Sequence, residues 1–245
     1  MKNICKKLFK ILLPICSSIL VISLIITISF EYTDKNTRSK IVKEANCINS
    51  MYYICGDTNT DVIYKIDNFI DELPSHIQTV IKKNNNWVFV FANSLPNEMA
   101  SYNQVKRKYT DLSNLTGLTV RTCRTVFVDL KQDESLIYDT AIHEIGHVID
   151  CEFGYISNSK KFYKLFELYK EKITDNSYYN AHQSEFFAYT FSEYCINKQS
   201  LMEENPDIYN YFNDLLSTEK SNDNIIDKLC TRPIYFIRFF APNTI

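Results

Sequence analysis

The sequence predicts an α+β domain, with a small mixed β-sheet in its N-terminal half, a mainly helical C-terminal half and one histidine-bearing helix between them. Three observations point that way. Trp87-Val88-Phe89-Val90-Phe91, Leu118 to Cys123 and Thr125 to Leu130 are rich in β-branched and aromatic residues, as strands are. From Ser135 onward the apolar residues recur at helical spacing. The turn residues Thr116-Gly117 separate the first strand region from the next pair.

The chain opens with Lys2, Lys6, Lys7 and Lys10 ahead of an uncharged run of 20 residues, Ile11 to Phe30. Positive charge before such a run predicts a cytoplasmic N-terminus and an exported remainder, so residues 1–33 read as a signal peptide or an N-terminal membrane anchor. The run has the length of a span, yet Pro14, Ser17 and Ser18 weaken its middle, and both readings stay open. Cys16 lacks the preceding small residues that lipid modification prefers and reads as an apolar thiol. Residues 34–50 are polar and read as a linker; 51–245 form one domain, long enough to bury a core.

Composition removes several classes. With 27 Lys+Arg against 29 Asp+Glu and no basic stripe, nucleic acid is not an expected partner. Four glycines in the whole chain exclude collagen-like and Gly-rich linker classes. Beyond the apolar run, Cys47, Cys55, Cys123, Cys151, Cys195 and Cys230 contain no C-x-x-C pair, which argues against a zinc ribbon or redox centre. Cys47 and Cys55 are close enough for a local bridge; unpaired buried thiols are the competing reading.

The elements follow in order. Val62, Ile63, Ile66, Phe69, Ile70 and Leu73 define a helix that Pro74 ends, and Ile77, Val80 and Ile81 suggest a second. Trp87 reads as core. Ser135 to Glu152 is one helix, with Gly154 in the left-handed position past its end. Phe162, Leu165, Phe166 and Tyr169 mark the next. Asn180 with Gln183 resembles a capping box opening a helix through Cys195, and Asn205-Pro206 opens another through Leu216. The apolar stretch Pro233 to Phe240 reads as a final packed element.

The chemistry lies in His143-Glu144-Ile145-Gly146-His147. Residues four apart share a helix face, so both imidazoles can address one tetrahedral ion while Glu144 faces the water that ion carries. With four histidines in the chain, chance gives this pattern in roughly one sequence of several hundred. Gly146 in mid-helix costs about 1 kcal/mol against alanine, which suggests close approach by a strand or substrate. A catalytic zinc site needs a third protein ligand. The metzincin continuation is absent, since Asp150 and Phe153 stand where it requires Gly and His. His182, Glu185, Asp150 and scattered carboxylates remain, with Asp150 better suited to orienting an imidazole N–H than to direct ligation, or else a surface carboxylate near the helix end.

The segment His143 to Asp150, then Ser177-Tyr178-Tyr179, then Ser184-Glu185-Phe186-Phe187-Ala188-Tyr189-Thr190-Phe191, resembles the catalytic region of the anthrax lethal factor family, which includes the secreted Pro-Pro endopeptidases. The resemblance implies a zincin-like fold, Glu185 as third zinc ligand beside His143 and His147, Glu144 as catalytic base, and Tyr178 as a residue stabilising the transition state. Tyr189 stands where the family often carries a second glutamate. Independently, Glu185 borders an apolar stretch where an uncompensated carboxylate is expensive to bury. His182 is the alternative ligand or proton donor.

These readings converge on a zinc-dependent endopeptidase of the gluzincin type. It would carry one Zn2+ ion and act as a monomer on protein or peptide substrates, including proline-containing ones. The expected location is extracellular, secreted or tethered to the outer face of the membrane, with membrane contact only through the N-terminal segment if it is uncleaved. Thr125 to Leu130 is the candidate edge on which an extended substrate would pair. The alternative is a catalytically inactive metallopeptidase-like binding module at the cell surface.

Overall fold

The computed structural model describes residues 2–56, 60–84, 87–93, 115–173 and 177–217. It opens with a long helix, α1 (Lys2–Glu44). Many side chains of 2–31, and with them much of the apolar run behind the signal-or-anchor expectation, lie outside the described residues. Among the described residues no helix is long and apolar enough to cross a membrane. The stretch 233–240 and Cys230 also lie outside them.

After α1 come two short strands, β1 (Asn46–Cys47) and β2 (Tyr52–Cys55). Next are α2 (Asp61–Glu72), α3 (Ser75–Gln78) running into a π-helical turn (Thr79–Asn84), and β3 (Val88–Ala92). With β4 (Gly117–Val120) and β5 (Thr125–Asp129) the strands form one mixed sheet in the order β1-β2-β3-β5-β4. β2, β3 and β5 run parallel, while β1 and β4 close the two edges antiparallel. β1 and β2 were not legible in the sequence, being only two and four residues long.

Every residue of β3 is buried, because both faces of the sheet are covered. Phe89 and Phe91 join Tyr52, Ile54, Val126 and Val128 in the main core, whereas Val88 and Val90 join Leu118, Val120 and Phe127 on the opposite face. A strand buried on both sides reads as a continuous apolar run, as 87–91 does. Ile41 and Val42, near the end of α1, pack on that second face. Residues 34–44, read from sequence as a polar linker, are therefore the last turns of a docked helix. Asp34 is fully buried and accepts a hydrogen bond from Thr122 Oγ1 at 2.5 Å, and Arg38 donates to the Cys123 carbonyl at 3.0 Å. Cys47 is a thiol whose Sγ lies 3.1 Å from the Asn49 carbonyl it donates to, so it forms no bridge to Cys55.

The helix carrying the two histidines is α4 (Glu134–Glu152). It is buried around most of its middle, polar Glu144, His147 and Asp150 included, because it is held between the sheet and other helices. It ends as the sequence predicts: Gly154 takes φ +78°, its N–H bonds the Cys151 carbonyl at 3.1 Å, and Tyr155 N–H bonds the Asp150 carbonyl at 2.7 Å. Tyr155 itself has φ 60°, a left-handed value that is uncommon for a residue with a side chain. Trp87 is core, with its indole N–H donating to Glu152 at 3.0 Å.

A one-turn 3-10 segment (Ile156–Asn158) leads into α5 (Lys160–Ile173), followed by α6 (Ser177–Ala181), α7 (Gln183–Ile196), α8 (Lys198–Glu204) and α9 (Pro206–Ser217). Phe162, Phe186, Phe187 and Phe212 interlock these helices, with ring centroids 5.1 Å apart for Phe162–Phe187 and 5.2 Å for Phe187–Phe212. The capping box expected from Asn180 and Gln183 does not form. Asn180 belongs to α6, and the N-cap of α7 is His182, in an extended conformation without a side-chain cap.

Gly146 explains how α4 and α7 meet. A Cβ placed on it would lie 2.8 Å from the Ala188 Cα and 3.2 Å from the Ala188 carbonyl oxygen. The close approach inferred from the sequence is thus that of a neighbouring helix. Backbone cannot yield as a flexible side chain can, so overpacking outweighs the gain in helix propensity. We expect Gly146→Ala to lose a net of about 1–2 kcal/mol in urea unfolding.

Candidate functional site

On α4, His143 and His147 present their rings edge to face, with centroids 5.0 Å apart. Glu185, in the first turn of α7, reaches both. Its Oε2 lies 3.5 Å from His143 Nε2 and 3.0 Å from His147 Nε2. Donors bound to one tetrahedral zinc at about 2.1 Å stand roughly 3.4 Å apart, so two imidazole nitrogens and one carboxylate oxygen already have the spacing of a shared metal shell. The donor chemistry, two imidazoles and a carboxylate with a glutamate alongside, also suits zinc.

A second carboxylate borders the same space. Glu144, His143 and His147 each offer a donor atom within 4.8 Å of the others. The closer fit is Glu185, because Glu144 is engaged elsewhere: its Oε2 accepts a hydrogen bond from Thr119 Oγ1 at 2.6 Å. Glu144 and Glu185 are both buried, with fixed partners that offset the loss of water.

Asp150 is fully buried at the same end of α4. The sequence left it either as an orienter of an imidazole or as a surface carboxylate. Instead it accepts from Ser157 N–H at 2.7 Å and Ser157 Oγ–H at 3.0 Å, and stands 3.9 Å from the Arg121 guanidinium. Burial raises its carboxyl above the ordinary range, and Arg121 and Ser157 act in the opposite direction. Arg121 is what meets the imidazole, with Nη2 3.5 Å from His147 Nδ1 while the guanidinium covers the Tyr155 ring at 5.3 Å.

The two adjacent tyrosines differ in their surroundings. Tyr178 is 42% exposed, its ring 5.8 Å from Tyr179 and 6.0 Å from His182. The ring against His143 is that of Tyr179, at 5.6 Å, and Tyr179 in turn stacks on Tyr189 at 4.7 Å and 17°. Burial, then the charges of Glu185 and Glu144, raise the Tyr179 phenol above its usual value. His182 is exposed at the start of α7, outside the imidazole–carboxylate cluster. Thr119 and Arg121 escaped the sequence reading, which took Gly117 only as a turn residue and Tyr179 only as the neighbour of Tyr178, because none of the four belongs to the site by spacing alone.

A family model described as "Anthrax toxin lethal factor, N- and C-terminal domain" matches residues 32–215, well over half of the chain. The chain belongs to this family. The lethal factor match begins inside α1 and contains the whole sheet, α4 and α7. Among solved structures, the Pro-Pro endopeptidase PPEP-2 from Paenibacillus alvei matches with a TM-score of 0.54 and 17% identity, over 67% of this chain and 97% of that one. That likeness establishes the shared fold. No curated protein sequence matches significantly.

In this lethal factor family member, the Asp150 bonds fasten the end of α4 to the turn that follows it. Asp150→Ala would strand the Ser157 N–H and hydroxyl in a buried setting, and should lower the free energy of unfolding by about 2–3 kcal/mol. Asp150→Asn keeps one acceptor oxygen and should lose less, as urea unfolding of both variants would measure.

Proposed function

We propose that this chain is a zinc-dependent endopeptidase of the gluzincin type. The observation that carries the reading is the meeting of Glu185 Oε2 with both imidazole nitrogens, at 3.5 Å and 3.0 Å, across two separate helices. His143, His147 and Glu185 would hold one zinc ion. When bound, zinc acts as a Lewis acid toward a peptide carbonyl and lowers the pKa of water in its open position.

The protein's own groups supply the rest. Glu144 takes the proton from the attacking water and returns it to the departing nitrogen. Tyr178, whose exposed ring neighbours Tyr179, is the proposed hydrogen-bond donor to the developing oxyanion, a role drawn from the family resemblance. The sequence expectation of β5 as the substrate edge is corrected: β5 lies between β3 and β4, and β4 is the edge on that side of the sheet, β1 being the other. An extended peptide would therefore align along β4, which also carries the partner of Glu144. Membership of the lethal factor family and the fold shared with a Pro-Pro endopeptidase support proteins as substrates, proline-containing ones included. The lysine-flanked apolar run supports action outside the cell, which fractionation and N-terminal sequencing of the mature protein would test.

Elemental analysis should find one zinc per chain, lost in His143→Ala, His147→Ala and Glu185→Gln. Glu144→Gln should keep its zinc yet cleave a mixed peptide library roughly 10²–10⁴-fold more slowly than the wild type. A zinc-free, folded wild-type protein would overturn the assignment. Tyr178→Phe should lower kcat by about 10-fold or more with little change in KM, whereas Tyr179→Phe, whose ring contact survives, should not.

A further inference from the structure

We propose that Thr119 is a positioning residue for Glu144: its hydroxyl holds one carboxylate oxygen in place and leaves the other to accept a proton. This rests on the reading of Glu144 as the catalytic base. The geometry begins with strand alternation. Leu118 and Val120 point into the second apolar cluster, so Gly117 and Thr119 turn toward α4.

A threonine hydroxyl has a single proton to donate. Two acceptors lie near Thr119 Oγ1: the Glu144 carboxylate oxygen Oε2 at 2.6 Å and the Glu144 backbone carbonyl at 3.3 Å. The carboxylate is both the nearer and the stronger acceptor. Among the described residues no protein donor meets the other oxygen, Oε1. Gly117 gives Oε1 its space, since a Cβ there would lie 2.8 Å from Oε1 and 2.6 Å from Thr140 Cγ2. The two oxygens thus have different tasks, one fastened to the edge strand and one open.

The alignment continues past the strand. Arg121, two residues beyond Thr119, meets His147 and Asp150, so successive inward residues 117, 119 and 121 track successive turns of α4. Two strand residues advance about 6.8 Å and one helical turn about 5.4 Å, close enough for the two elements to stay in step over this distance. Thr119 is buried, so its hydroxyl is not there for solvation.

Three variants of the full chain test the proposal: Thr119→Val, which keeps the shape and removes the hydroxyl, Thr119→Ser, which keeps the hydroxyl, and Gly117→Ala. On a peptide selected from the library, Thr119→Val should lower kcat by about 10–100-fold with KM within about twofold, and Thr119→Ser should recover most of the rate. Zinc content and Tm should stay near wild type in both. Gly117→Ala should retain zinc and lose kcat, and it stands in for Thr119→Val if that variant does not fold. Wild-type kcat in Thr119→Val overturns the proposal, as does a loss that follows zinc or folding and is not restored by serine. An inert wild type would instead count against the peptidase reading. Crystal structures decide the inference separately: Oε2 should sit on Thr119 in the wild type and swing away in Thr119→Val, and a wild-type carboxylate without that bond overturns it.

Discussion

The contact on which the site depends is the one between Gly146 and Ala188. A helix with a side chain at 146 would be pushed off by the backbone of α7, 2.8 Å from the missing Cβ. The residues that matter chemically lie within one helical turn of that point. His143 and His147 flank Gly146 on α4, and Glu185 precedes Ala188 by one turn on α7. Because dispersion and packing forces act over short distances, this close seat converts two separate segments of chain into one rigid arrangement of donors. The aromatic layer of Phe162, Phe186, Phe187 and Phe212 presses α7 from behind and keeps the seat occupied.

Charge is handled by fixed local partners. Three carboxylates, Glu144, Asp150 and Glu185, are buried within this small region. Each has its own answer to the loss of water: Thr119 for Glu144, Ser157 and the nearby guanidinium of Arg121 for Asp150, and the two imidazoles for Glu185. The partners come from β4, from the turn after α4 and from α4 itself. Buried carboxylates that are bonded in this way also specify geometry, since a displaced group leaves its partner unsatisfied as well.

How much of this could be read from residues varies with the range of the interactions. His143-Glu144-x-x-His147 is local, and one helical turn suffices to predict a shared face. Pro74 and Gly154 act through local backbone torsions; the structure ends α2 before Pro74 and gives Gly154 a positive φ just past α4. Glu185 stood out through the E-F-F-A stretch that accompanies the first motif and through the apolar residues beside it. Tyr178 and Tyr179 are adjacent and chemically alike, so spacing could not say which ring meets His143; the stacking of Tyr179 on Tyr189 decides it. Thr125 to Leu130 was correctly a strand but wrongly an edge, because strand order depends on which partners pair and not on the strand's own composition. Residues 34–44 looked like a linker for a similar reason: the polar side chains of Asp34 and Arg38 are satisfied by Thr122 and Cys123, far away in sequence.

By itself the sequence determined the α+β division, the position and ends of the histidine helix, and the identity of the paired imidazoles, since these follow from periodicity and backbone preference within a few turns. Only the tertiary structure decided that the edge beside the histidine helix is β4, that Thr119 fastens Glu144, that Ser157 and not an imidazole bonds Asp150, and that Glu185 faces both rings. Those facts arise where segments distant along the chain are brought within a few ångströms, and hydrogen bonding and close packing have no signature in sequence until that distance is known.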